Sequence, residues 1–166
     1  AYAEYAAVEC DQLGRAPSSV GLEAAAAVPL AAQTALQALR NDAKLRSGQR
    51  ALINGASGGV GVFAVQIAKI LGAHVTAVCS ERNVDLVRDL GADEVIDYNQ
   101  TELTNIAARY DLFFDVFGNY AFDRVKHLLE SDGTYVHTIP SGRIIQDIAR
   151  TLFRKKRAKL VIVKSR

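Results

Sequence analysis

Between Leu52 and Lys69 the chain reads LINGASGGVGVFAVQIAK, an apolar stretch that breaks into small residues and resumes with helical spacing. Ala56, Gly58 and Gly61 fall at the small-x-Gly-x-x-Gly spacing of a turn that links a strand to a helix. A small residue at 56 permits the tight turn. Gly58 lets backbone approach an anion, and Gly61 lets the helix pack closely on the strand. The N–H groups freed at the helix start, aided by the helix dipole, suit a pyrophosphate. A P-loop is excluded because no Gly-Lys-Ser/Thr follows. The chemistry in prospect is dinucleotide binding. About 20 residues further on, a chain that binds NAD usually carries Asp or Glu for the ribose hydroxyls. Here that stretch reads AVCSERN, with Ser80 and Arg82 in the place of the acid. A hydroxyl and a guanidinium suit a 2′-phosphate, which favours NADP(H) over NAD. Glu81 counts against this reading unless its side chain turns to solvent.

Other reactive residue types form no such pattern. His74, His127 and His137 fall on separate elements and read as core or surface residues; only His137, near the end of a strand, is placed to face the site. Cys10 and Cys79 are too far apart for a disulfide framework or a metal-ligand spacing, and Cys79 reads as a small buried hydrophobe beside the site. Asp111 and Asp115 share one side of a strand, and Asp115 reads as a partner for a helix N-terminus rather than as an acid. No Ser-His-Asp or Cys-His arrangement has motif support.

The elements that must hold the glycine turn follow a steady rhythm. Residues 49–54, 74–79, 94–98, 111–118, 133–139 and 159–163 read as strands. Residues 59–71, 83–91, 102–109, 119–130 and 143–155 read as the helices between them. Short apolar strands separated by helices predict an α/β fold: a Rossmann-type, doubly wound, six-stranded parallel sheet with helices on both faces. Residues 1–48 break this rhythm. AYAEYAAV at 1–8 reads as a strand already under way, and residues 21–27 and 30–40 read as helices separated by Pro29. The chain starts without methionine, and it reads as part of a longer protein.

Composition narrows the class. The 166 residues are 49% hydrophobic and 23% charged, suited to a single globular domain. No apolar run reaches the roughly 20 residues of a membrane span, and no signal segment opens the chain; the expectation is a cytoplasmic protein without membrane contact. Residues 150–166 hold eight basic residues and no acidic one. Without interleaved aromatics this reads as a basic helix end running into a strand, not as a nucleic-acid site.

The stretch GQRALINGASGGVGVFAVQIAKILGAHVTAVCSERNVDLVRDLGADEVIDY resembles the nucleotide-binding domain of medium-chain dehydrogenases/reductases, and within them the zinc-independent quinone oxidoreductase branch. AAAAVPLAAQTALQAL is similar to that family's linker helix, and AYAEYAAV to the last strand of its catalytic domain. The resemblance implies residues 1–20 as a remnant of the catalytic domain and linker, and residues 21–166 as an NADP-binding domain truncated at its C-terminus. The rest of the catalytic domain would be missing. It also implies hydride transfer from NADPH to a small-molecule acceptor, a quinone or an activated alkene or carbonyl. A chain lacking the catalytic domain would bind cofactor but turn over poorly.

The resemblance assigns residue roles. Thr34 would lie near the phosphates or nicotinamide. Ser57, Gly58, Gly59 and Val60 would line the pyrophosphate, and Ser80 and Arg82 would hold the 2′-phosphate. Tyr98 would approach the adenosine, Phe117 and Gly118 the nicotinamide ribose, and Thr138 and Ile139 the nicotinamide. Zinc-dependent relatives place a cysteine ligand four residues before Thr34, where this chain has Leu30, so no metal is expected. Family members commonly dimerise along the last strand's edge, which implies a homodimer or larger homo-oligomer. An enoyl-reductase module of a multidomain synthase would show much the same motifs, and a non-catalytic NADPH-binding redox sensor would keep the binding residues.

Overall fold

The computed structural model describes residues 3–163. Six strands form one parallel sheet: β1 (Arg50–Asn54), β2 (His74–Cys79), β3 (Glu94–Asp97), β4 (Tyr110–Asp115), β5 (Leu129–His137) and β6 (Arg157–Leu160). Their order across the sheet is β3-β2-β1-β4-β5-β6, so the chain reverses direction of travel between β1 and β4. Helices α1 (Leu22–Ala26), α2 (Val28–Leu36), α3 (Gly59–Ile70), α4 (Val84–Asp89), α5 (Phe122–Val125) and α6 (Gly142–Thr151) complete the fold.

Strand alternation sends neighbouring side chains to opposite faces. Ala51, Ile53, Val75, Ala77, Leu112, Phe114 and Val136 pack with α2, α3 and α4 in one core. Leu52, Val78, Phe113, Tyr135 and Ala158 face the other way and pack with α5 and α6. Two apolar layers on one sheet explain why the strands read as continuous apolar runs. Helix α3 is the short link between the layers and the site, because its buried Gly61, Ala64, Val65 and Ala68 let it lie close to β1.

Several expected elements differ. Residues 3–8 form no strand; Tyr5 and Val8 are exposed, and no described strand lies alongside for them to pair with. Ala1 and Tyr2 lie outside the described residues. Pro29 does not separate two helices but sits in the first turn of α2, where its missing N–H costs nothing. The helix then runs on as a wider π turn through Gln37–Asp42. Residues 102–109 form only a 3-10 turn at Leu103–Asn105, since Leu103 alone is fully buried and gives no helical stripe. The helix expected over 119–130 shrinks to α5 and a turn at Lys126–Leu128. The buried Phe122, Val125, Leu128 and Leu129 keep helical spacing, which is why the sequence reads as one helix, but Leu129 pairs with Tyr110 and begins β5. Strand β6 lies two to three residues earlier than the apolar run suggested, because Ala158 is the residue that enters the core.

Candidate functional site

The reversal between β1 and β4 opens a crevice at the C-terminal ends of the strands, the usual ligand position in such sheets. Strand β1 ends at Asn54, and the turn Gly55–Gly58 leads into α3. The left-handed residue of that turn is Gly55, with φ of +80°. Ala56 lies within the turn, fully buried, with its N–H donated to Val78 O at 3.0 Å. A Cβ on Gly61 would stand 2.1 Å from Gly55 O, so this position admits no side chain. A Cβ on Gly58 would meet only Gly55 O, at 3.3 Å, and one on Gly59 would meet nothing within 4 Å. The turn is thus packed shut beneath Gly61 and open above Gly58 and Gly59. Gly58 caps α3 without a side-chain bond, which leaves the first N–H groups of α3, from Gly59 through Gly61, facing that open side. This is a cradle that fits a pyrophosphate.

The end of β2 lies beside this cradle. Ser80 follows β2, and the 3-10 turn Glu81–Asn83 carries Arg82 to the surface. Glu81 is exposed as well. Asn83 Nδ2 donates to Ser57 Oγ at 3.0 Å and to Ser80 Oγ at 3.2 Å, joining the glycine turn to the end of β2. Cys79 is buried, and burial together with the neighbouring Asp97 charge pushes its thiol pKa up. Tyr98 is half-exposed beyond β3, with its N–H bonded to Cys79 O at 3.2 Å.

The far wall comes from β4 and β5. Asp115, fully buried, accepts from Asn54 Nδ2 at 2.7 Å, Gly118 N at 2.8 Å, Tyr120 N at 3.0 Å and the Tyr135 hydroxyl at 3.0 Å. It is a structural hub, as expected, but it fastens the loop after β4 rather than a helix N-terminus. Burial first, then the Asp115 charge, drives the Tyr135 pKa far above the usual tyrosine value, so its hydroxyl remains a donor. The hub fixes Phe117, which is 68% exposed, and Gly118, whose φ is +75°. A Cβ on Gly118 would stand 2.8 Å from Ile139 Cδ1 and 3.0 Å from His137 Cε1. Thr138 Oγ1 donates to Val116 O at 2.8 Å, and Ile139 N donates to His137 Nδ1 at 2.9 Å. His137 therefore accepts through Nδ1. The apolar Phe117 and Ile139 are left exposed at the strand ends, a surface suited to a flat ring.

The structure thus gathers Ala56, Ser57, Gly58, Gly59, Val60 and Gly61 into the cradle, with Ser80 and Arg82 beside it. Phe117, Gly118, Thr138 and Ile139 form the opposite wall, and a Cβ on Gly55 would come within 3.4 Å of Phe117 Cβ, so the two walls meet. Thr34 stands apart from these contacts: it is buried on α2, and its hydroxyl donates to Leu30 O at 2.7 Å. Sequence reasoning missed Gly55, Asn83, Asn54 and Tyr135. Gly55 alone carried a signal, as a glycine directly after a strand.

A family model described as zinc-binding dehydrogenase matches residues 59–165, well over half of the chain. The chain belongs to this family. It is 40% identical over 147 residues to a chloroplast envelope quinone oxidoreductase homolog of Arabidopsis thaliana, covering 83% of this chain and 45% of that protein. It is 40% identical over 136 residues to a mitochondrial NAD(P)H oxidoreductase of Danio rerio, covering 75% of this chain and 35% of that protein. The solved quinone oxidoreductase of Coxiella burnetii superposes with a TM-score of 0.80 at 28% identity, covering 92% of this chain and 48% of that one. These likenesses place this zinc-binding dehydrogenase family member in the quinone oxidoreductase-like branch of the medium-chain dehydrogenases/reductases. The relative from Danio rerio is named an NAD(P)H oxidoreductase, and the one from Coxiella burnetii a quinone oxidoreductase. The chain spans less than half the length of each of these relatives. No helix among the described residues is long and apolar enough to cross a membrane. The relatives named for chloroplast and mitochondrion lend the cytoplasmic expectation no support.

Proposed function

We propose that this domain binds NADPH in preference to NADH and serves a zinc-independent reduction of a quinone or of an activated alkene or carbonyl. The observation that carries the cofactor choice is Ser80 and Arg82 beside the glycine cradle, joined to it through Asn83, with no carboxylate in the place of Ser80. Arg82 supplies the charge for a 2′-phosphate and Ser80 a hydroxyl. When bound, the nicotinamide supplies the hydride. The chain's own part is to hold the phosphates on the α3 amides, to stack the exposed Phe117 and Ile139 against an apolar ring, and to keep Gly118 free of a side chain where that ring would rest. The zinc-free reading is supported by Leu30, an exposed apolar residue where related zinc enzymes carry a ligand. Residues that polarise the acceptor are assigned to the part of the protein outside this chain, so this domain alone binds cofactor and turns over poorly. In the same reading, copies of the chain associate along β6.

Titration of the protein with NADPH and NADH tests the cofactor choice. NADPH is expected to bind more tightly. Arg82→Ala should weaken NADPH by on the order of 1.5–3 kcal/mol at low ionic strength, the range for a hydrogen bond to a charged group, and leave NADH nearly unchanged. Equal loss for both cofactors would remove Arg82 from the 2′-phosphate site.

A further inference from the structure

Asn83 belongs to none of the motifs, yet it touches a hydroxyl in each of the two phosphate-facing segments. Its backbone N–H closes the 3-10 turn onto Ser80 O at 2.9 Å. Its side chain bonds Ser57 Oγ and Ser80 Oγ through Nδ2 alone. It stands at the N-cap of α4 but makes no side-chain cap there, so its amide is committed to the two serines. An amide nitrogen has donor protons and no lone pair, so both Oγ atoms must accept from it. A hydroxyl that accepts in this way keeps its own proton to donate elsewhere. Ser57 lies in the glycine turn and Ser80 beside Arg82, so both remaining protons are available to anionic oxygens.

We propose that Asn83 is a positioning residue for the cofactor: it fixes the Ser57 and Ser80 hydroxyls as donors and couples the pyrophosphate cradle to the 2′-phosphate subsite. This rests on the NADPH reading above. It explains why an amide, and not a carboxylate, suits position 83. Aspartate there would accept from both hydroxyls, turn their protons inward and set a negative charge between two phosphate positions.

A double-mutant cycle decides the matter. NADPH and NADH affinities are measured for the wild type, Asn83→Ala, Ser80→Ala, Ser57→Ala, the two doubles containing Asn83→Ala, and Asn83→Asp, each checked for folding by circular dichroism. Asn83→Ala should weaken NADPH about tenfold and NADH about threefold. Asn83 and Ser80 should be non-additive for NADPH and additive for NADH, whereas Asn83 and Ser57 should be non-additive for both. Asn83→Asp should weaken NADPH about a hundredfold, and it keeps the size of the side chain if Asn83→Ala fails to fold. A merely structural Asn83 would weaken both cofactors equally with additive doubles, which overturns the proposal. If Ser80→Ala loses NADPH selectively while the Asn83 variants bind normally, the NADPH reading stands and the Asn83 proposal falls. If the wild type itself binds both cofactors equally, the NADPH reading fails and the proposed coupling to a 2′-phosphate falls with it.

Discussion

Two glycines of one turn answer to different demands. A Cβ at Gly61 would collide with Gly55 O at 2.1 Å and with Ala56 C at 2.7 Å, both backbone atoms that cannot swing aside. Gly61→Ala should therefore push α3 off the turn, costing on the order of 3 kcal/mol in stability, as overpacking of a tight contact does, and lowering Tm along with cofactor affinity. Gly58 has an extended backbone, with φ of −81° and ψ of 173°, and a Cβ there would meet only Gly55 O, at 3.3 Å. Gly58→Val should unfold near the wild-type temperature yet lose NADPH, because its methyl groups would fill the cradle. A folded Gly58→Val protein that still binds NADPH would place the ligand elsewhere. The motif positions were legible because steric exclusion leaves few residue types to choose from. Asn83 was not, since an asparagine just ahead of a helix reads as a cap, and only the fold shows its amide turned to Ser57 and Ser80. Asn54 and Tyr135 were hidden for a related reason: each lies in an apolar strand, and their shared partner Asp115 comes from a strand distant in sequence.

Elements buried on both faces were readable from their apolar runs, and β1, β2, β4 and α3 lie within a few residues of their expected bounds. Elements with one thin contact were not, as residues 102–109 show, because a single buried Leu103 sets no period. One junction between elements carries a clear electrostatic signature. Asp93, just ahead of β3, accepts from Lys69 Nζ of α3 at 2.7 Å and from Val75 N of β2 at 2.7 Å. Partial burial pushes its carboxyl pKa up, but the bonds to Lys69 and Val75 outweigh this and hold it below the ordinary value of 3.8. A carboxyl with a depressed folded pKa stabilises the fold above its unfolded pKa, and the contribution is lost as pH falls through the folded value. Asp93→Asn should therefore lower Tm at pH 7, and the gap from wild type should close as pH drops below about 3.8. A gap of constant size from pH 7 to pH 3 would show that the charge of Asp93 contributes nothing to this junction.

At the scale of the whole molecule, the sheet has two edges, and they differ. Strand β3 closes one side with short, polar-flanked residues, whereas β6 leads into Val161 and Ile162 at the other. Val161 is buried and donates its N–H to His137 O at 2.9 Å, so it belongs to the pairing with β5. Alternation along an extended chain then turns the N–H groups of Leu160 and Ile162 outward, and the Ile162 side chain is 70% exposed. Sheet edges are commonly guarded by lysine. Here Lys159 is drawn away from the edge, its ammonium donating to the Asp42 carbonyl oxygen, and Lys164 lies outside the described residues. An edge with an apolar flank invites a second copy of the same strand, and an antiparallel pairing of two β6 edges would join two sheets into one without repeating further. Ile162→Pro removes an outward donor while leaving the bond between Val161 and His137 in place, so it tests the edge without breaking the core. Sedimentation velocity should find a dimer for the unmodified chain and a shift towards monomer for Ile162→Pro. A monomer at high concentration before any substitution would refute the edge contact. A dimer unchanged by Ile162→Pro would move the interface to another surface.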